Sequence, residues 1–294
     1  MDISAVICTY NRCKSLQGTL DSLLHQEMCD NFEYEVIVVD NNSNDNTRDI
    51  VTGFIPKFNG KLKYVFESNQ GLSNARNRGI CEATGEIIIF TDDDCLPEKE
   101  WFSKINIVFS KNKSIDLMLG GAIWEDAKRI YTELNPLRGN GLHMAFRKNT
   151  LFQLGLFDKY LGAGSIGCSA DDTEIMYRAI KNKKNIEIHD DILVVHKHRI
   201  SSQEQLKFAY RDSKGYVIFW LKYVIRDKDL FALKNIYWYF LRTFICLLQS
   251  AKSYSKFNFK LRGLQLVGGI VGIFKGLFIW IFLKPIETIC QKSA

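Results

Sequence analysis

The sequence has no CxxC pair and no regular cysteine spacing, although it holds eight cysteines, Cys8, Cys13, Cys29, Cys81, Cys95, Cys168, Cys246 and Cys290. That absence argues against a local zinc site and against the disulfide framework of short secreted domains, so reduced thiols are expected. A secretory leader is not expected either. The apolar stretch Ile3 to Cys8 is too short for one and runs straight into the polar Tyr10-Asn11-Arg12, so export is not expected. Neither an internal repeat nor a low-complexity linker breaks the chain, which excludes a repeat array. Acidic residues become scarce toward the end: Lys197 to Ala294 has 5 Asp and Glu against 17 Lys and Arg, whereas Met1 to His196 has 28 against 22. The overall charge of +6 therefore belongs to the last third and implies an anionic partner there.

What is present is the composition of a folded globular protein, 294 residues of which 46% are hydrophobic, enough for one large domain or two smaller ones. Ile3 to Cys8, Val36 to Val39 and Glu86 to Phe90 are short apolar runs of the kind buried on both faces of a parallel sheet, and Leu62 to Phe66 reads as another strand. Between them Leu16, Leu20, Leu23 and Leu24, then Ile50, Val51 and Phe54, then Leu72, Ala75, Gly79 and Ile80 recur at helical spacing. Strands alternating with helices predict a doubly wound, mostly parallel α/β sheet, in which ligands bind beyond the carboxyl ends of the strands. After Gly139 the pattern loosens, with a strand over Leu142 to Phe146, a short helix over Asp172 to Ile180 and a last strand over Ile192 to Val195. Residues 1–198 are expected to form this catalytic region and residues 199–294 a helical tail.

The carboxyl-end rule points to Thr9-Tyr10-Asn11-Arg12, Asp40-Asn41-Asn42-Ser43 and Thr91-Asp92-Asp93-Asp94. Three consecutive aspartates repel one another, and a divalent cation with oxygen ligands, Mg²⁺ or Mn²⁺, is the simplest partner for them. Such an ion could bridge the phosphates of a nucleotide. On its own the aspartate run also fits a helix cap or a loop cluster, and Asp171-Asp172 on its own fits an N-terminal helix pair favoured by the macrodipole.

The motifs Ile7-Cys8-Thr9-Tyr10-Asn11-Arg12, Val38-Val39-Asp40-Asn41-Asn42-Ser43, Asn69-Gln70-Gly71-Leu72-Ser73-Asn74-Ala75-Arg76-Asn77 and the run ending in Asp92-Asp93-Asp94 occur in that order. They are followed by Met144-Ala145-Phe146-Arg147, Gly155-Leu156-Phe157-Asp158 and Ala170-Asp171-Asp172-Thr173-Glu174-Ile175. Over the first two thirds of the chain this set resembles the family 2 glycosyltransferases of GT-A fold.

The resemblance implies an inverting transfer of a sugar from a nucleotide-diphosphate donor. It implies that Thr9, Tyr10, Asn11, Arg12, Asp40, Asn42 and Arg76 line the donor site, and that Asp92, Asp93 and Asp94 match the DXD motif. Asp92 and Asp93 would be shared between donor and ion, with Asp94 the first direct metal ligand, Asp92 a second and His196 completing the coordination; His198 is a weaker candidate. Asp172 would be the base that takes the acceptor proton; Asp171 stands where the family usually has Glu. Gly139-Asn140-Gly141 and Gly162 to Gly167 are flexible stretches on the presumed acceptor side, closing elements or simple turns.

The tail, with helical stretches over Ser201 to Tyr223, Leu230 to Gln249 and Leu264 to Leu283, combines aromatics with Lys and Arg. The last stretch is about long enough to span a bilayer, but Lys275 and its glycines weaken it as a span. An anionic membrane surface on the cytoplasmic side is the expected partner, and nucleic acid is disfavoured because aliphatic and aromatic mass accompanies the charge. The expected acceptor is a saccharide on a lipid carrier, as in bacterial surface-polysaccharide assembly. Two other readings stay open: a catalytically inactive scaffold of the same fold, and nucleotidyl transfer, which would need a glycine-rich phosphate loop that Thr9-Tyr10-Asn11-Arg12 lacks.

Overall fold

The computed structural model describes residues 2–28, 32–124, 129–131, 141–197, 201–253 and 255–283. His198, Gly139 and Asn140, named above, lie outside these residues. The chain forms two compact units, one of Met1–Phe157 with Asp172–Arg199 and one of Asp158–Asp171 with Ile200–Ala294. The short segment Asp158–Asp171 thus groups with the C-terminal helices, across the boundary drawn from sequence at residue 198.

In the first unit, strands β1 (Ile3–Thr9), β2 (Tyr34–Asp40), β3 (Leu62–Phe66) and β4 (Ile87–Asp92) are joined by helices α1 (Cys13–Leu24), α2 (Thr47–Phe54) and α3 (Leu72–Glu82). They pair in the order β3-β2-β1-β4, all parallel. The chain first builds outward from β1 on one side and then returns to add β4 on the other, so the strand order reverses at β1. That reversal leaves a crevice at the carboxyl edge, where the two neighbouring loops diverge.

The sheet continues through β5 (Cys95–Pro97), α4 (Trp101–Lys111), β6 (Leu117–Trp124), β7 (Arg129–Tyr131), β8 (His143–Arg147), α5 (Lys148–Leu154), α6 (Asp171–Lys181) and β9 (Ile186–His196). Its order is β4-β8-β6-β9-β5 with β7 on β6; the long β6–β9 ladder is parallel, while β8, β5 and β7 pair antiparallel. Two features of this half govern the site. The β6–β9 register jumps between Gly120 and Gly121, which brings Trp124 opposite His196. The β5–β9 register then puts Cys95 opposite His196 as well, so Asp94 ends beside that histidine.

The core packs Leu16, Leu20 and Leu23 of α1 and Trp101, Phe102 and Ile105 of α4 against the sheet residues Val36, Val38, Ile7 and Ile89. Buried within it, His143 Nε2 accepts a hydrogen bond from Trp101 Nε1 at 2.8 Å, and its Nδ1 lies 3.1 Å from the Gly121 carbonyl oxygen. Burial pushes its pKa down to about 4, so the ring is neutral; with Nε2 accepting from Trp101, the proton sits on Nδ1, facing the Gly121 carbonyl. The strand beside it has no room for a side chain: a Cβ at Gly120 would stand 2.0 Å from the ring.

The second unit contains α7 (Ser202–Asp227), α8 (Leu230–Lys252) and α9 (Lys256–Phe282). Each starts at a side-chain cap. Ser201 and Glu204 form a capping box on α7, Asp229 accepts from the backbone of Phe231 and Ala232 on α8, and Ser255 accepts from Asn258 on α9. Ser255 explains why α9 begins at Lys256 rather than at Leu264, where the apolar run starts. One expectation about cysteines fails: Cys81 is disulfide-bonded, while Cys8, Cys13, Cys95, Cys168 and Cys246 are free. Spacing rules see only pairs close in sequence, whereas a disulfide needs only closeness in space.

Candidate functional site

The register of the three central strands assembles the site. Thr9 stands opposite Asp40 at the ends of β1 and β2, and Cys8 stands opposite Asp92 at the end of β4. The polar residues picked out after three separate strands therefore share one sheet edge. Thr9 Oγ1 donates to Asp93 Oδ2 at 2.7 Å, a buried bond that ties the tip of β1 to the aspartate run. Arg12, just before α1, pairs with Asp93 at 3.2 Å and with Asp94.

Asp40 is buried, with Oδ1 accepting from the Ser43 backbone at 2.9 Å and Oδ2 from the Tyr64 hydroxyl at 2.8 Å. Burial first, then the Asp40 carboxylate, pushes the Tyr64 hydroxyl up to about 12, so Tyr64 stays a donor at all ordinary pH. The neighbouring loops are locked together. Asn11, at a φ of 52°, accepts from the Asn44 backbone at 2.7 Å, and its own N–H donates to Ser43 Oγ at 2.9 Å. Buried Asn41 donates to the Glu67 and Asn69 carbonyls and accepts from the Gly71 N–H at 2.8 Å, fixing where α3 begins. Tyr10 and Asn42 are exposed beside these groups.

Helix α3 carries Arg76 to the site one turn later. Its guanidinium is buried, lies 3.8 Å from Asp92 Oδ1, sits over the rings of Phe90 and Phe157, and donates to the Gly141 carbonyl at 3.1 Å. The Gly141 N–H in turn donates to Asp172 Oδ2 at 3.0 Å, while Asp172 Oδ1 accepts from the Thr173 N–H at 2.7 Å at the start of α6. Asp172 and Asp92 are thus joined through Gly141 and Arg76.

The three aspartates differ. Asp92 keeps about a third of its side chain open, yet the protein crowding around it pushes its carboxyl up to about 6. Burial pushes Asp93 up to about 7 against the pull of Arg12 and Thr9. Burial acts on Asp94 too, but His196 and Arg12 outweigh it and hold its carboxyl below the usual range.

Asp94, Cys95 and His196 offer ligand atoms within 4.8 Å of one another, all buried. His196 Nε2 is 3.2 Å from Asp94 Oδ1, an oxygen that accepts no well-aligned hydrogen bond, and the Trp124 ring packs edge-on against the imidazole at 4.2 Å. A buried, unsatisfied carboxylate oxygen facing an imidazole fits a divalent ion. Burial pushes the Cys95 thiol well up, so at neutral pH it stays protonated and the oxygen and nitrogen donors are the ones on offer. Sequence reasoning missed Tyr64, Asn41, Gly141, Cys95 and Trp124. Of these, Asn41 and Gly141 lay inside stretches marked for the site, and Tyr64 inside a stretch marked only as a strand.

The family model for glycosyl transferase family 2 matches residues 4–161. The glycosyltransferase AglE of Haloferax volcanii is 25% identical over 246 residues, 79% of this chain and 78% of that protein. An uncharacterized glycosyltransferase of Nostoc sp., alr2836, is 34% identical over 118 residues, 40% of this chain and little more than a third, 36%, of its own length. Among solved structures, the mannosyltransferase PcManGT from Pyrobaculum calidifontis in complex with GDP-Man and Mn²⁺ aligns with a TM-score of 0.67 at 19% identity, covering 94% of this chain and 87% of that one. TarS 1-349 of S. aureus in complex with UDP-GlcNAc aligns with a TM-score of 0.57 at 20% identity, covering 90% of each. At these identities the likeness is one of fold, the GT-A arrangement.

Proposed function

The chain belongs to glycosyl transferase family 2, and we propose that it transfers a sugar with inversion from a nucleotide-diphosphate donor to a saccharide carried on a lipid. The observation that carries this reading is the shared edge: Thr9, Asp40 and Asp92 stand at three strand tips, and Asp172 is linked to Asp92 through Gly141 and Arg76. The nucleotide sugars bound by PcManGT and TarS support the donor class.

In this reading Asp40 and Thr9 bind the nucleoside, with Tyr10, Asn11 and Asn42 at the opening, and Arg12 and Arg76 face the diphosphate. Asp94, Asp92 and His196 are the residues that would hold a divalent cation, Mn²⁺ or Mg²⁺, which when bound neutralises charge on the diphosphate; Asp93 bridges Thr9 and Arg12 beside it. Asp172 is the general base. As the acceptor oxygen forms its bond to the anomeric carbon, the bond from that carbon to the diphosphate breaks and the hydroxyl proton passes to the Asp172 carboxylate. The Gly141 N–H fixes one oxygen of that carboxylate, so the group enters the step already oriented.

Thermal-shift measurements with UDP, GDP, TDP and CDP, each with and without Mn²⁺, test the donor site. One nucleotide should stabilise the protein in the presence of the ion, by about 3 kcal/mol at a hundredfold excess over its Kd. If none of the four does so, the donor assignment is wrong.

A further inference from the structure

We propose that α8 and α9 present a docking face for an anionic phospholipid bilayer, with α9 lying in the plane of the interface rather than crossing it. This rests on the second unit alone and not on the donor-site reading.

Helix α9 is long and apolar enough to cross a membrane. Its packing argues against that. A Cβ added at Gly268 would stand 2.4 Å from the Tyr210 carbonyl oxygen, one at Gly272 2.8 Å from that of Lys214, and one at Gly276 2.8 Å from the Leu221 side chain. One stripe of α9 is therefore pressed against α7 along much of its length. Near its end, Trp280 Nε1 donates to the Ile218 carbonyl at 2.7 Å, and Arg226 stands over the indole at 4.8 Å. Helix α7 carries Arg211, Asp212, Lys214, Lys222, Arg226 and Asp227. A crossing α9 would draw these charges into hydrocarbon, where each is expensive.

The opposite face of α9 is bare. At ~100° per residue, the exposed Val267, Ile270, Phe274, Phe278 and Ile281 fall within an arc about 80° wide, turned away from the glycines. Lys275 lies about 60° outside that arc, where its stem can reach headgroups while the ring of Phe274, 71% exposed, points inward. Helix α8 repeats the arrangement. It buries Ala232, Ile236, Thr243 and Ser250 on one side and exposes Leu233, Tyr237, Trp238, Phe244 and Leu248 on the other.

Charge selects the occupant. From Leu230 to Leu283 the chain has seven Lys and Arg and no Asp or Glu. A second copy set against this face would bring like charges together without a counter-charge, whereas acidic lipid headgroups supply one. Tyr237 and Trp238 add the amphipathic rings that settle at headgroup level.

Co-flotation of the full chain with vesicles tests the proposal. Vesicles of phosphatidylcholine mixed with phosphatidylglycerol should carry at least about tenfold more protein than phosphatidylcholine alone, and salt near ~1 M should abolish the difference. Replacing Phe274→Glu together with Phe278→Glu, both exposed, should remove flotation while circular dichroism and the nucleotide-dependent thermal shift stay as in the parent. Protease added to the protein bound on preformed vesicles should remove a tag placed after Ala294. Equal binding to neutral vesicles overturns the charge argument, continued flotation of the double variant overturns the face, and a protected tag means that α9 crosses. A dimeric parent that the double variant turns into a monomer, neither binding vesicles, assigns the face to a second copy instead. A nucleotide shift absent in the parent would count against the donor site and leave the docking face untouched.

Discussion

Asp172 Oδ2 accepts a hydrogen bond from the Gly141 backbone N–H at 3.0 Å, and the carbonyl of that same glycine receives the guanidinium of Arg76. The group assigned as base is thereby fixed to the edge that carries the aspartates. Asp172→Asn keeps the shape and an acceptor oxygen but removes the basicity. Nucleotide and Mn²⁺ binding should stay within about twofold, while turnover falls by about 10² to 10⁴. Retained turnover would remove Asp172 from the mechanism.

Arg12 balances two buried carboxylates, Asp93 and Asp94. Arg12→Ala should lower stability by about 1 to 2 kcal/mol in metal-free buffer, less than for a fully buried pair because the Arg12 side chain is 40% exposed. Adding Mn²⁺ should restore most of that loss. Denaturant unfolding with and without the ion measures both quantities, and an equal loss in the two buffers would contradict this account of the charge balance.

Proton occupancy at Asp92 and Asp93 couples ion binding to pH. Their carboxyls sit at about 6 and about 7, above the unfolded range near ~4, so holding a proton favours the folded form. In the absence of an ion, their contribution to stability is complete below about pH 4 and fades as pH rises toward about 7. Ion binding requires the ionised forms, so the rise in Tm produced by Mn²⁺ should be small at pH 5.5 and large at pH 8. A flat increment across that range would mean that the ion displaces no proton from either carboxyl.

His143 gives the opposite sign. Its folded pKa, about 4, lies below the ordinary value of about 6.5, so the stability tied to its neutral form is complete above about 6.5 and is lost as pH falls toward 4. The full span corresponds to about 3 kcal/mol. Against a His143→Gln variant, the parent should lose more stability between pH 7 and pH 4.5. Equal losses would mean that the ring charges without penalty.

The parallel half of the fold was legible because its strands are continuous apolar runs and its helices have clear leucine periodicity. The other half was not. In β6, Leu117–Trp124, two glycines interrupt the apolar run, and the reason for one of them, room for the His143 ring, exists only in three dimensions. Strand β9 starts at Ile186 rather than Ile192 because its irregular first part is stabilised by pairing with β6, not by its own pattern. Helix α4 is fixed by Trp101 and Phe102 packing into the core. In the site, side chains that follow strand tips were readable from chain position alone. Tyr64 was not, because its bond to Asp40 depends on the β2–β3 pairing that brings the two strands side by side.

Asn41 spends its whole amide on backbone groups of the segment from Glu67 to Gly71. For anyone recombining this protein with a relative, the practical module boundary is therefore not the segment itself. A graft of residues 67–71 will seat correctly only if position 41 brings the same three hydrogen bonds, and with them the starting point of the helix that delivers Arg76. The exchangeable cassette runs from the tip of β2 through the first turns of α3.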